Sequence, residues 1–339
     1  MLLNLIIPAD WQQWVADCLM NQVQPTLIVN ELVKQTRMPR HLAENYVMDT
    51  VKHPFVVAGI RMTRQLNRRD WLLDLYKRLQ VQSGRFEAIE ERTEMSREEF
   101  YKHYHPMNRP FILRGGAKDW QVMKTWSREY FVEKYGDKRV RVTHLDQETL
   151  KKTFPEMTFR EYVDMLWTCG ESNEWYMTHA THDFNSETLG ELFREIDRFP
   201  ELLDPESPIA NGWILFGPSG THTDLHFDLA NAMFVQLHGK KHFKMISPLD
   251  MPYVYPYQDF LSLLDFHQGI DEERFPLAKH ATVYEVTLEP GDMMFLPIGW
   301  WHYAESEGVS ISYSFSNFYT KESYRQYRDV YGIHPLVND

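Results

Sequence analysis

The stretch Thr221 to Ser247, THTDLHFDLANAMFVQLHGKKHFKMIS, decides how this chain is read. Its second part holds two β-type runs, "NAMFVQLH" and "KHFKMIS", around Gly239-Lys240, which predicts two strands joined by a turn. Its first part carries His-x-Asp twice, as His222-Thr-Asp224 and His226-Phe-Asp228. Residues i and i+2 of a strand point to one face, so either pair sets an imidazole beside a carboxylate, and all four side chains are expected on the same face. At about 3.3 Å per residue the two pairs lie more than about 10 Å apart, so only one pair can serve a given ion. The tripeptide alone decides nothing: a third copy, His144-Leu-Asp146, occurs in a chain with 15 histidines. A histidine standing alone is ordinarily a hydrogen-bonded core residue.

The surroundings favour a site. A non-haem iron centre takes two histidines and one carboxylate on one face of the metal and leaves the other positions open. The third ligand is expected from His302 in "FLPIGWWHYAES", on a strand launched by the Pro290-Gly291-Asp292 turn, where barrel closure brings it back beside the His-x-Asp strand. In the series Lys241, Phe243, Met245, an otherwise apolar face begins with a lysine, which is costly inside a barrel unless an anion such as a ligand carboxylate meets it. In "VSISYSFS", Val309, Ile311, Tyr313 and Phe315 alternate with Ser310, Ser312, Ser314 and Ser316; the serine face either meets solvent or lines a polar cavity.

From about Asp10 to Leu79 the apolar spacing is helical, with Trp11, Trp14, Val15 and Cys18 recurring at 3 and 4, so residues 1–85 are expected to form a helical region. The boundary is placed near Gly84 to Thr93. Residues 86–339 then carry short β-type runs alternating with helices, two of them opened by the capping boxes Ser96-x-x-Glu99 and Thr158-x-x-Glu161. Many short antiparallel strands predict a mainly β domain with helices, a double-stranded β-helix of the cupin or jelly-roll kind. The long segment from Leu249 to Ala281 is either a lid or binding loop, or an aromatic plug on the outside of the barrel.

A formal net charge of −12 argues against nucleic acid or an anionic membrane as the main partner. Two cysteines exclude a disulfide framework and a thiolate metal site, and fit a cytoplasmic protein. The apolar opening MLLNLIIPADWQQW lacks a basic start and a small-residue cleavage site, so it is read as structural rather than as a signal peptide.

Taken together, "NRPFILRGGAKDW", "WYMTHA", "GPSGTHTDLHFD", "NAMFVQLHGKKHF", "VYP", "DEERFP", "LEPGDMMFLPIGWWHYAES" and "VSISYSF" resemble, in order and over about Phe100 to Phe318, the JmjC-type cupin-fold oxygenases, in particular the branch of the factor-inhibiting asparaginyl hydroxylase. The family pattern Thr-x-x-His-x-Asp falls on Thr223, His226 and Asp228, and its lysine fifteen residues after the first histidine falls on Lys241. The resemblance implies Fe(II) held by His226, Asp228 and His302, and 2-oxoglutarate held by Lys241 and Tyr176 with further contacts from Thr223 and Ser314. It also implies O2-dependent hydroxylation of a C–H bond with release of succinate and CO2. Ala232 stands where the hydroxylases often carry asparagine, with Asn231 one position early, and Ser314 stands where an asparagine can contact the cosubstrate. Asp224 replaces a frequent proline. A peptide or protein side chain is the expected substrate, bound under the 249–281 segment, with selectivity in the loops Thr178 to Asn185 and Tyr253 to Arg274. A small-metabolite hydroxylase of the same fold and a non-catalytic cupin-like binding protein are the alternatives. The helical region is expected to serve recognition or homodimer assembly, since little chain follows Phe318 for the C-terminal helices some relatives use to pair.

Overall fold

The computed structural model describes residues 7–320 apart from 84–86, 200, 207–211 and 259. Most of the apolar opening, the start of the expected boundary and residues 321–339 lie outside the described residues. The chain divides into two compact units, Met1–Leu79 and Gln80–Asp339. In the first, α1 (Ala9–Met20), α2 (Pro25–Thr36), α3 (Arg40–Lys52) and α4 (Pro54–Gln82) follow the helical spacing. Val15, Leu19, Ile28, Leu32, Ala43 and Val47 bury their apolar stripes together, with Trp11, Trp14 and Cys18 packed on the rim. No helix among the described residues is long and apolar enough to cross a membrane.

The second unit opens with β1 (Glu90–Arg92), α5 (Arg97–His103) and β2 (Phe111–Leu113), continues through α6 (Val122–Thr125), α7 (Arg128–Tyr135), β3 (Arg139–Arg141), β4 (Thr143–Leu145), β5 (Lys152–Thr153), β6 (Glu156–Thr158) and α8 (Phe159–Thr168), and reaches β7 (Trp175–Tyr176), α9 (His182–Thr188) and α10 (Gly190–Arg194). Thr158 and Glu161 form the reciprocal capping box that starts α8. At α5 only half of the expected box is found: Ser96 accepts from the Glu99 amide, while the Glu99 carboxylate turns to Arg92, 2.8 Å away. There, an arginine outcompetes a backbone amide for the charge.

The rest is the double-stranded β-helix: β8 (Trp213–Gly217), β9 (His222–Phe227), β10 (Ala232–Ile246), β11 (Pro256–Tyr257), β12 (Leu261–Ser262), β13 (Val283–Leu288), β14 (Met293–Leu296) and β15 (Trp301–Phe315). Among the described residues, ten strands join in one sheet of order β1-β2-β14-β10-β15-β9-β12-β11, with β13 on β10 and β8 on β15. Neither expected turn reverses the chain. Gly239 lies inside β10, where the ladder to β15 shifts register twice, between Gln236 and His238 and between His238 and Lys240. Its φ is +62°, and a Cβ there would collide with the Val309 carbonyl oxygen, so the glycine marks a bulge rather than a hairpin. Pro290-Gly291-Asp292 likewise only interrupts a path, because β13 and β14 both pair antiparallel with β10, along Lys241–Ile246 and Ala232–Val235. The helical half of the unit buries one face of β10 and β15 through Met233, Val235, Ile311, Tyr313 and Phe315.

The 249–281 segment packs as a plug on an outer face. Val254, Leu264, Phe275 and Ala278 bury against Leu225, Ile246, Trp301 and Tyr303, the side chains of β9, β10 and β15 that point away from the barrel interior. Its strand β12 also extends the sheet, with Leu261 opposite His226. Of the two readings of the serine face, burial is the outcome: Ser310, Ser312 and Ser314 are each 1% exposed. Ser310 and Ser312 are tied to the Gln236 amide at 3.0 and 2.7 Å.

Candidate metal centre

Opposed residues of an antiparallel pair share a face, so the ladders around β15 identify what points into the barrel. Met245, Phe243 and Lys241 of β10 stand opposite His302, Ala304 and Ser306 of β15. On the other side of β15, His302 stands opposite His226 and Ala304 opposite Thr223. His302 and Ala304 are two residues apart, whereas His226 and Thr223 are three apart, so β9 carries one extra residue. This corrects the expectation that all four His-x-Asp residues share a face. The bulge keeps His226 and Thr223 inward and sends His222, opposite Glu305, outward with Tyr303. There His222 stacks on His267 of the plug, with centroids 4.0 Å apart, and meets the Asn173 amide at 3.1 Å. Burial first, then the carboxylates of Glu305, Asp265 and Asp224, hold the Tyr303 hydroxyl above its ordinary range.

The second pair therefore meets His302. One donor atom from each of His226, Asp228 and His302 lies within 4.8 Å of the others, and each Nε2 is 3.9 Å from an Asp228 oxygen. Both imidazoles are oriented alike. His226 Nδ1 is 2.7 Å from the Asp224 carbonyl and His302 Nδ1 is 3.0 Å from the Trp300 carbonyl. A carbonyl only accepts, so both Nδ1 atoms carry the proton and both Nε2 lone pairs are left for a cation. Burial, followed by the neighbouring His226, pushes the His302 pKa down to about 4, which keeps this ring neutral.

Deeper along the same face, Lys241 is 3% exposed and donates to Tyr176 Oη at 3.0 Å. Tyr176 comes from β7, beside Thr143 of β4, and Gly217 leaves room for its ring: a Cβ there would lie 2.7 Å from it. Ser306, opposite Lys241, lies outside the run of alternating serines, from which Gly308, at φ +75°, separates it. Among the described residues, the buried Ser306 Oγ and Ser314 Oγ have no hydrogen-bond partner. A buried ammonium opposite the Ser306 hydroxyl suits a bound carboxylate, and two imidazoles with one carboxylate suit a divalent cation.

Residues 96–323 match the family described as the cupin-like domain. Lysine-specific demethylase 8 of Xenopus tropicalis is 27% identical over 65% of this chain and 50% of its own length. Jumonji C domain-containing protein 5 of Drosophila melanogaster is 26% identical over 65% of this chain and 57% of its own. The tRNA wybutosine-synthesizing protein 5 of Danio rerio is 28% identical over 71% of this chain and 78% of its own. The chain spans about half the length of the first two. These names do not single out an asparaginyl-hydroxylase branch, and a tRNA-named relative leaves the charge argument against nucleic acid without support. By its family match and by the barrel that carries its triad, the chain belongs to the cupin-like domain family.

Proposed function

We propose that this chain is an Fe(II)- and 2-oxoglutarate-dependent oxygenase that uses O2 to hydroxylate a C–H bond, releasing succinate and CO2. The observation that carries this reading is the inward face shared by His226, His302 and Lys241, with Asp228 at its open end. Bound there, iron and 2-oxoglutarate supply the oxidising chemistry, while the protein supplies orientation and exclusion of water. His226, Asp228 and His302 hold the cation. Lys241 and Tyr176 receive the far carboxylate of 2-oxoglutarate, and Thr223 and Ser314 add contacts to it.

A peptide or protein side chain is the proposed substrate. Leu229 and Phe260, both exposed, flank the Asp228 end and offer it an apolar rim. Hydroxylation of an N-methyl carbon leaves a hemiaminal that collapses to amine and formaldehyde, so a demethylase and a hydroxylase share this first step. The similarity to a tRNA-named relative over most of that protein's length supports an RNA substrate as the second reading. Residues 1–85 serve recognition or assembly, and the cytoplasm is the proposed compartment. Succinate release with Fe(II) and 2-oxoglutarate, followed by a mass-spectrometric search for a mass gain of one oxygen, or loss of a methyl group, in peptides, tRNA and metabolite extracts, tests the proposal. A protein that releases no succinate is a binding protein instead, and a product found only among metabolites ends the polypeptide assignment.

A further inference from the structure

The turn Pro297–Trp300 touches two members of the triad through its backbone. The Gly299 amide donates to the Asp228 carbonyl at 3.2 Å, and the Trp300 carbonyl accepts from His302 Nδ1 at 3.0 Å. Gly299 takes φ +80°, so the turn has a specific shape to keep. Between its ends, the Ile298 peptide has its two polar atoms met by two asparagines from distant parts of the chain. Its N–H donates to Asn231 Oδ1 at 2.8 Å, and its carbonyl accepts from Asn108 Nδ2 at 2.9 Å. The Trp300 indole returns to Asn108, donating to its carbonyl and Oδ1 at 3.0 and 2.8 Å.

We infer that Asn231 and Asn108 are positioning residues for the centre formed by His226, Asp228 and His302, acting together as a clamp on the Ile298 peptide. The inference rests on the metal reading of that triad. Asn231 is 1% exposed and precedes Ala232, which packs into the barrel interior, so its side chain is turned away from the cosubstrate end of the cavity. Its oxygen is committed to the turn, and its Nδ2 lies 3.4 Å from His105 Nε2. Asn108 sits at φ +50°, a left-handed conformation that asparagine tolerates better than most residues. Releasing the clamp frees the turn that sets both the Asp228 backbone and the tautomer of His302. Partners of this outer kind govern metal affinity by orienting the ligands.

The two asparagines use opposite ends of their amides, and that asymmetry makes the test specific. Co(II) serves as the probe, bound to the metal-free full-length protein, with affinity and visible spectrum recorded beside a melting curve. Asn231→Leu should weaken Co(II) binding by about 10–100-fold and alter the spectrum. Asn231→Asp, which keeps the acceptor for the Ile298 N–H, should bind at least as tightly as wild type. Asn108→Asp, which loses the donor to the Ile298 carbonyl, should behave like Asn231→Leu. If Asn231→Leu does not fold, the contrast between the two aspartate variants decides. Lower melting temperatures with Co(II) affinity and spectrum unchanged would make both asparagines merely structural and overturn the inference. Wild-type protein that binds no Co(II) would overturn the metal reading and this inference with it, whereas binding abolished by His302→Ala but untouched in the asparagine variants overturns the inference alone.

Discussion

His302 stands directly opposite His226 across the β9–β15 ladder, whereas Ala304, two residues farther along β15, stands opposite Thr223, three residues back along β9. That single extra residue on β9 separates the two histidines of the His-x-Asp pairs, His226 facing the barrel interior and His222 the plug. Asp228→Ala and His302→Ala should therefore abolish iron-dependent succinate formation, a loss beyond the roughly 10–100-fold typical of outer-shell changes. Asp224→Ala should retain activity, since only its backbone carbonyl serves His226. An inactive Asp224→Ala beside an active Asp228→Ala would reverse the assignment.

Lys241 has Tyr176 Oη for one donor, and its ammonium has two more for a carboxylate. A charge-assisted buried contact contributes about 1.5–3 kcal/mol, so Lys241→Ala should raise the 2-oxoglutarate requirement by roughly 10- to 150-fold. Metal affinity, measured separately, should change little. An unaltered 2-oxoglutarate titration would remove Lys241 from the cosubstrate site.

Ser306 Oγ is buried with no partner among the described residues, and leaving such a group unsatisfied costs about 1–3 kcal/mol. Ser306→Ala should accordingly melt no lower than wild type without cosubstrate, yet show a smaller rise in Tm when 2-oxoglutarate is added with the metal. A variant that melts lower in both conditions, with the ligand-induced rise intact, would make the hydroxyl a packing group.

The pKa of His302 lies at about 4, below the roughly 6.5 of an unfolded histidine. As pH falls the unfolded chain takes up this proton first. The group's contribution is therefore fully present above about pH 6.5 and is lost progressively toward pH 4, at up to about 1.4 kcal/mol per pH unit. Melting curves of metal-free protein at pH 7.5 and 5 should show a fall that is smaller in His302→Gln. Equal falls in the two proteins would rule out His302 as the source.

Gly239 carries the β10 bulge. Gly239→Ala forces a left-handed non-glycine residue, at about 1–3 kcal/mol, and adds a collision with the Val309 carbonyl. The melting temperature should drop by several degrees, whereas an unchanged Tm would show that the bulge accepts a side chain.

The sequence by itself determined the fold class and the burial conflict at Lys241, because period-two alternation and the cost of a buried charge are local facts, whereas the pair His226 and Asp228 is preferred there only through the family resemblance that also aligns Lys241. Turns were less legible: Gly239-Lys240 and Pro290-Gly291 carry the residues of a chain reversal, but a bulge needs the same left-handed glycine, and only the partner strand distinguishes the two. The fate of His222 was not legible at all, since one extra residue on β9 inverts a face without leaving a mark in the pattern. Ser306 and the asparagine clamp escaped for a related reason. Their meaning lies in what stands opposite, Lys241 in one case and the Ile298 peptide in the other, and only tertiary pairing brings such distant residues together.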